Sequence, residues 1–252
     1  MKVYKLLLTI LLATVFLSGC KKEELVHICK KGPIHLSFNT LVNGEQFVLN
    51  DTLYDDYLGR KYRVELLKLY LSNLSLEKAD GTRTVLSDVN LIDYTTLSLL
   101  DVNADIDTGL YVNLHFGVGL DSLMNASDPV DFPPSHPLSI TQNTYWSWAS
   151  KYKFFMLEGR VDTLGSQSPD VIFSYHSGFD TLYKEITIPL EDIFMTSEGD
   201  SLVLEFDLGT AVNGDAGVID FVEESFSHSE SEFEIVERIS NNLVNAFSIH
   251  QH

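Results

Sequence analysis

Residues 63–94 read RVELLKLYLSNLSLEKADGTRTVLSDVNLIDY, and how this stretch folds decides the architecture. The apolar runs on either side of Ala79-Asp80-Gly81-Thr82 are rich in Leu, Val, Tyr and Thr and broken by Asn and Asp, which is the composition of strands. Asp-Gly supplies the left-handed backbone that a tight turn between paired strands requires. The segment is therefore expected to be a long β-hairpin. Moving outward, the same signature recurs in IHLSFNTLV from Ile34, LYVNLHFGVG from Leu110, YKFFMLEGRVD from Tyr152, DVIFSYHSG from Asp170, YKEITIPL from Tyr183 and DSLVLEFDLG from Asp200. Asn43-Gly44-Glu45 marks another turn. The prolines gathered in DPVDFPPSHP, residues 128–137, offer no ladder N–H, so this stretch is expected as a long ordered loop.

Helical spacing is confined to SESEFEIVERISNNLVNAF, residues 229–247. There Phe233, Val236, Ile239, Leu243, Val244 and Phe247 recur at steps of three and four, with Ser229 or Ser231 as the expected cap. The fold class that follows is all-β: an antiparallel, sandwich-like single domain with one C-terminal helix. No sustained repeat or interior linker divides it.

The start of the chain has a different character. MKVYKLLLTILLATVFLSGC carries two early lysines and an apolar run from Leu6 to Leu17, too short to span a bilayer and suited to an export signal. Leu17-Ser18-Gly19-Cys20 is similar to a bacterial lipobox, so residues 1–19 are expected to be removed and Cys20 to be acylated. Residues 20–33, beginning Lys21-Lys22-Glu23-Glu24, then form a tether that resembles surface-export signals of Bacteroidetes lipoproteins. The β domain occupies 34–252. With Cys20 acylated, Cys29 has no intrachain partner and stability must come from packing. These features predict a cell-envelope protein, held to the outer membrane by lipid and open to surface display.

Charge narrows the partners. The chain has 17 Lys and Arg against 36 Asp and Glu, a net charge of −19, which repels phosphate backbones and excludes nucleic acid as a partner. No Gly-x-Ser-x-Gly elbow or phosphate-cradling glycine loop occurs, so no enzyme activity is expected. DVNADIDTG, residues 101–109, spaces Asp101, Asn103, Asp105 and Asp107 as a calcium loop does. It has Ile106 where glycine is needed and Val112 where a glutamate is needed, so an acidic turn is expected. Eight histidines are scattered without helical metal-ligand spacing; any metal site has to be assembled from distant strands. In TYWSWASKYKFFMLEG, residues 144–159, Trp146, Trp148, Tyr152 and Phe154 share one face of an unbroken strand, with Lys151 and Lys153 opposite. That periodicity points to core packing.

Several segments in order carry a resemblance: LSFNTLVNGEQF, VELLKLYLSNLSLEKADG, LIDY, LYVNLHFGVGLDSLMNASDP, HPLSITQNTYWSWASKYKFFMLEGRVD, FSYHSG and NNLVNAF, spanning roughly residues 34–247. Together they resemble the MbnP-like family of copper-binding envelope proteins. The resemblance implies a β-rich domain without catalysis of its own. It also implies, in some members, a copper site of histidines and a tryptophan oxidised to kynurenine by a dihaem partner of the MauG type. His176 in FSYHSG is similar to the family's downstream ligand, with His35, His115 or His228 as its companion. The first strand departs from the family pattern: Asn39 and Thr40 follow Phe38 where a ligand histidine is expected, and no tryptophan follows. The competing reading is a surface lipoprotein without metal, contacting a glycan, a peptide or an outer-membrane transporter through loops that include residues 128–143.

Overall fold

The structure, a computed structural model, describes residues 30–146, 151–227 and 232–251. Residues 1–29, which hold the expected export segment, Cys20 and most of the expected tether, together with Trp148, His228, and the capping candidates Ser229 and Ser231, lie outside the described residues. Ten strands of five or more residues carry the described fold: β1 (Lys31–Val42), β2 (Lys61–Lys78), β3 (Arg83–Asp93), β4 (Asp101–Asp107), β5 (Gly109–Val118), β6 (Lys151–Val161), β7 (Val171–Gly178), β8 (Lys184–Met195), β9 (Asp200–Asp207) and β10 (Phe247–Gln251). The longer helices are α1 (Leu208–Val212) and α2 (Phe233–Leu243).

The expected hairpin is present: β2 and β3 pair through Glu77 and Arg83, and Gly81 sits at φ +85° in the turn. Strand β2 is the spine of a nine-stranded sheet. Leu69 pairs with Ile92 of β3 on one side and Phe155 of β6 on the other, while Leu71 pairs with Asn90 of β3 and Val118 of β5. Strands β5 and β6 therefore follow one another along the same flank of β2. Strand β8 extends the sheet from β5 and β7 extends it from β6. The second sheet has β1 at its centre, with β4 antiparallel on one side and β9 parallel on the other, and β10 beyond β9. The sandwich is thus mixed. The β1–β9 pair is parallel, and so is the contact of β7 with the short strand Phe226–Ser227.

Alternation explains what lies between the sheets. Ile34, Leu36 and Phe38 of β1, Leu202, Leu204 and Phe206 of β9, Leu67, Leu69 and Leu71 of β2, Phe155 and Leu157 of β6, and Phe173 and Tyr175 of β7 all join one buried cluster. Each side chain of this size contributes about 1.5–3 kcal/mol by leaving water. Their neighbours one residue along point away from it.

Two expectations need correction. Residues 101–107 form a strand and not a turn: Asp101, Asn103 and Asp105 are exposed, whereas Ile106 is buried and Val102 and Ala104 pack against the core. The every-second-residue acidic spacing is the solvent face of a pleat. The helix ends at Leu243; Val244 is exposed and Phe247 opens β10, its ring stacked on Phe206 and edge-on to Phe116. Phe247 is half-buried against the core from a strand, so its place in the helical periodicity was accidental.

Between β5 and β6 the chain makes an excursion, residues 119–144, over the outer face of the nine-stranded sheet. Here Tyr70, Leu91, Leu120, Leu138, Tyr152 and Phe154 form a second apolar cluster. The proline-rich stretch is ordered as expected, pinned by Tyr70 Oη to Pro137 O at 2.8 Å and by Tyr152 Oη to Leu138 O at 2.8 Å. Gly119 opens the excursion at φ +98°, and a Cβ there would lie 2.5 Å from the Phe154 ring. Only glycine satisfies both demands. Among the described residues no helix is long and apolar enough to cross a membrane.

Candidate functional site

Strands β6 and β7 position the polar group under this excursion. Phe173 and Tyr175 face the core, so Ser174 and His176 face outward; on β6 the same alternation turns Phe155 and Leu157 inward and Glu158 outward. His176 is paired with Met156 and Ser174 with Glu158, which makes His176 and Glu158 diagonal neighbours on one face. Their side chains meet, with His176 Nε2 2.6 Å from Glu158 Oε1. The imidazole is 9% exposed, the carboxylate 37%. One end of the pair is enclosed and the other is reached from solvent.

Trp146 closes the enclosed end. The short strand Tyr145–Trp146 folds back on β6, pairing Tyr145 with Tyr152 and Trp146 with Lys151. The Trp146 ring lies 5.3 Å from the His176 ring between centroids, at 60°. Lys153 Nζ stands 5.0 Å from the centroid of the Trp146 ring, a cation–π arrangement. Burial pushes the Lys153 ammonium pKa down; Glu158 opposes this and Lys68 adds to it. Lys68 is itself tied to Asp93 Oδ2 at 2.8 Å and to Gln142 O at 3.1 Å. The register His176–Met156–Lys68–Asp93 thus runs across four adjacent strands.

This differs from the expected face assignment. Trp146 is half-buried and belongs to neither apolar cluster, and Lys153 is buried beside it and not on an opposite, solvated face. Trp146 departs because its short strand folds back antiparallel on β6 instead of continuing into it; Lys153 departs at a register shift between Ser177 and Gly178, which pair with Phe155 and Lys153. A bulge of this kind re-aims a side chain.

The remaining candidate ligands sit elsewhere. His35 faces outward from the other sheet, bonded to Asp101 Oδ1 at 3.0 Å and to Ser201 Oγ at 3.4 Å. The core therefore separates it from His176. His115 shares a face of the sheet with His176 but pairs with Ser75, whereas the His176 register crosses β2 at Lys68. Seven residues of extended chain separate those positions, about 20 Å. His115 is bonded to Glu77 and Thr187. Among the described residues no group of three or more His, Cys, Asp or Glu side chains is placed to hold a metal ion. Glu158 is the partner that sequence reading did not assign, although it stands in the Glu-Gly landmark. Nothing local marks it, because its role comes from cross-strand register.

Compared with solved structures, the fold is similar to MbnP from Methylosinus trichosporium, with a TM-score of 0.53 and 16% identity over 88% of this chain and 99% of that one. At that identity the likeness establishes the fold. No curated protein matches the sequence. The MbnP family model matches residues 31–229, a span that holds the spine strand, the covering excursion and the Trp146–His176 cluster, and the chain belongs to the MbnP family.

Proposed function

We propose that this chain is a lipid-anchored envelope protein that binds and handles copper without turnover at that site, with His176 as the first ligand and Glu158 beside it. The observation that carries the reading is the enclosed His176–Glu158 pair against Trp146, in a member of a family that the sequence motifs associate with copper. An imidazole nitrogen and a carboxylate oxygen fit Cu(II) and not a hard, all-oxygen ion. Bound copper would supply a redox-active positive charge. The chain's part is to present His176 Nε2, hold Glu158 within reach of it and shield the ring with Trp146. Ligation uses the Nε2 lone pair with the ring proton on Nδ1, so protons compete with copper for that nitrogen and uptake weakens as pH falls. His228, which lies outside the described residues, remains the candidate second imidazole on the sequence reading.

The test is copper titration of the purified chain by calorimetry, with His176→Ala, Glu158→Gln and His228→Ala variants. Loss of His176 lowers affinity beyond the roughly 10–100-fold that supporting residues alone cost. Unchanged copper affinity in His176→Ala would remove the proposed site. If the wild-type chain takes up no copper, the apolar surface of the excursion gains weight. Leu123, Val130 and Ile140 are exposed there, as a peptide or transporter contact requires. Mass spectrometry of the mature N-terminus tests acylation of Cys20.

A further inference from the structure

At the other end of the nine-stranded sheet, His115 of β5 is flanked by two strands that each offer it a polar partner. Its Nδ1 lies 2.8 Å from Thr187 Oγ1 of β8, and its Nε2 is bonded to Glu77 Oε2 of β2. Thr187 and His115 line a cavity of about 150 Å³ shared with Asn73, Arg83 and Ile186. Glu77 stands behind His115, also bonded to Asn113 Nδ2 at 3.4 Å and 3.5 Å from an Arg83 nitrogen.

The electrostatics fix the direction of the chain of bonds. The His115 hydrogen bond, helped by Asn113 and Arg83 against a smaller contribution from burial, holds the Glu77 carboxyl below its ordinary range. A carboxylate only accepts, so in the neutral ring Nε2 carries the proton. The Nδ1 lone pair is then left facing the Thr187 hydroxyl. A hydroxyl, a base within hydrogen-bond reach and a group orienting that base are the geometric signature of an activated nucleophile, whatever the order in sequence.

We propose that Thr187, His115 and Glu77 form an acyl-transfer centre that hydrolyses short-chain carboxylic esters. Thr187 Oγ1 bonds to the ester carbonyl carbon as its proton passes to His115 Nδ1. The carbonyl oxygen becomes an oxyanion, for which Arg83 is the cationic donor lining the cavity. Collapse re-forms the carbonyl and breaks the ester C–O bond, and the alcohol leaves with the proton from His115. Water, losing its proton to His115, then adds to the acyl-threonine carbon. A second collapse releases the carboxylic acid and returns the proton to Thr187. The cavity's volume admits the acyl end of a small ester, with the alcohol part in solvent. The three residues come from separate strands, so no local motif announces them.

The test is p-nitrophenyl acetate hydrolysis by the purified chain, with peptide mass spectrometry for acetyl on Thr187. Thr187→Val keeps the shape and removes the hydroxyl; with His115→Gln it is expected to lower the rate by roughly 100-fold. Thr187→Ser retains activity, and hydrolysis proceeds in the presence of a copper chelator, which separates this centre from the copper reading. A Thr187→Val protein that is folded by circular dichroism and hydrolyses at the wild-type rate overturns the proposal. So does a wild-type chain no faster than His115→Gln.

Discussion

Lys68 Nζ lies 2.8 Å from Asp93 Oδ2, with the two side chains 10% and 3% exposed. The pair sits under the excursion and anchors it, since Lys68 also donates to Gln142 O. Burial raises the Asp93 pKa, but Lys68 and Thr95 outweigh it and the net direction is down. Removing one partner strands the other charge, at a cost of about 3–5 kcal/mol. Asp93→Asn is expected to lower the urea midpoint by that scale, while Lys68→Met with Asp93→Leu loses less than either single change. A double variant as unstable as the sum of the singles would contradict this account.

Copper binding should be visible from inside the molecule. With Trp148→Phe, Trp146 is the one remaining tryptophan of two, and its ring stands 5.3 Å from that of His176. Cu(II) at His176 is expected to quench most of its fluorescence, and His176→Ala to abolish the quench. Persistence of the quench in His176→Ala would place the ion elsewhere.

Lys153 works against a metal ion. Its ammonium over Trp146 adds a positive charge near the proposed ligands, and like charges in a partly dry environment repel by kilocalories. Lys153→Met, of similar length and uncharged, is expected to tighten copper binding severalfold in calorimetry. Equal or weaker affinity would show that the ammonium is not felt at the ion.

Acid sensitivity should centre on Asp220. Burial pulls its pKa up, but Arg60 at 2.8 Å, the Val222 amide and Tyr57 together hold it at about 2 against an ordinary 3.8. A folded-state value below the unfolded one contributes stability that is complete above the unfolded pKa and disappears as pH falls through the folded one. Asp220→Asn is therefore expected to flatten the loss of stability between about pH 4 and pH 2, measured as Tm against pH. An unchanged slope would argue that other carboxylates govern acid unfolding.

Gly119 is the hinge on which the excursion leaves β5. Gly119→Ala places a methyl carbon 2.5 Å from the Phe154 ring at φ +98°, a combination that costs about 1–3 kcal/mol. A lower urea midpoint with intact far-ultraviolet circular dichroism is the expected result, and no change would mean that the loop re-seats freely.

Much of this architecture was legible because period-two alternation is local. Residues 63–94 announced their hairpin, Asn43-Gly44 its turn, and the prolines their loop. The acidic stretch from Asp101 was read as a turn because its many Asp and Asn residues are turn-formers, whereas their every-second-residue spacing is that of an exposed pleat. Phe247 was misread because its three-residue step from Val244 continued a helix that had already ended. His176 was singled out through a resemblance to a family motif, but Glu158, Lys153 and the Thr187–His115–Glu77 set were not assigned together. Their meeting depends on which residue faces which across strands, and on a bulge at Ser177–Gly178, neither of which any single segment encodes.

Strand β4 has one further consequence. Among the described residues it pairs only with β1, so its other margin is open backbone, the kind of border on which protein copies stick together. Asp101 and Asp105 point outward along it. A second copy arriving in register would bring carboxylates against carboxylates, so mutual repulsion opposes edge-to-edge pairing and keeps neighbouring copies separate.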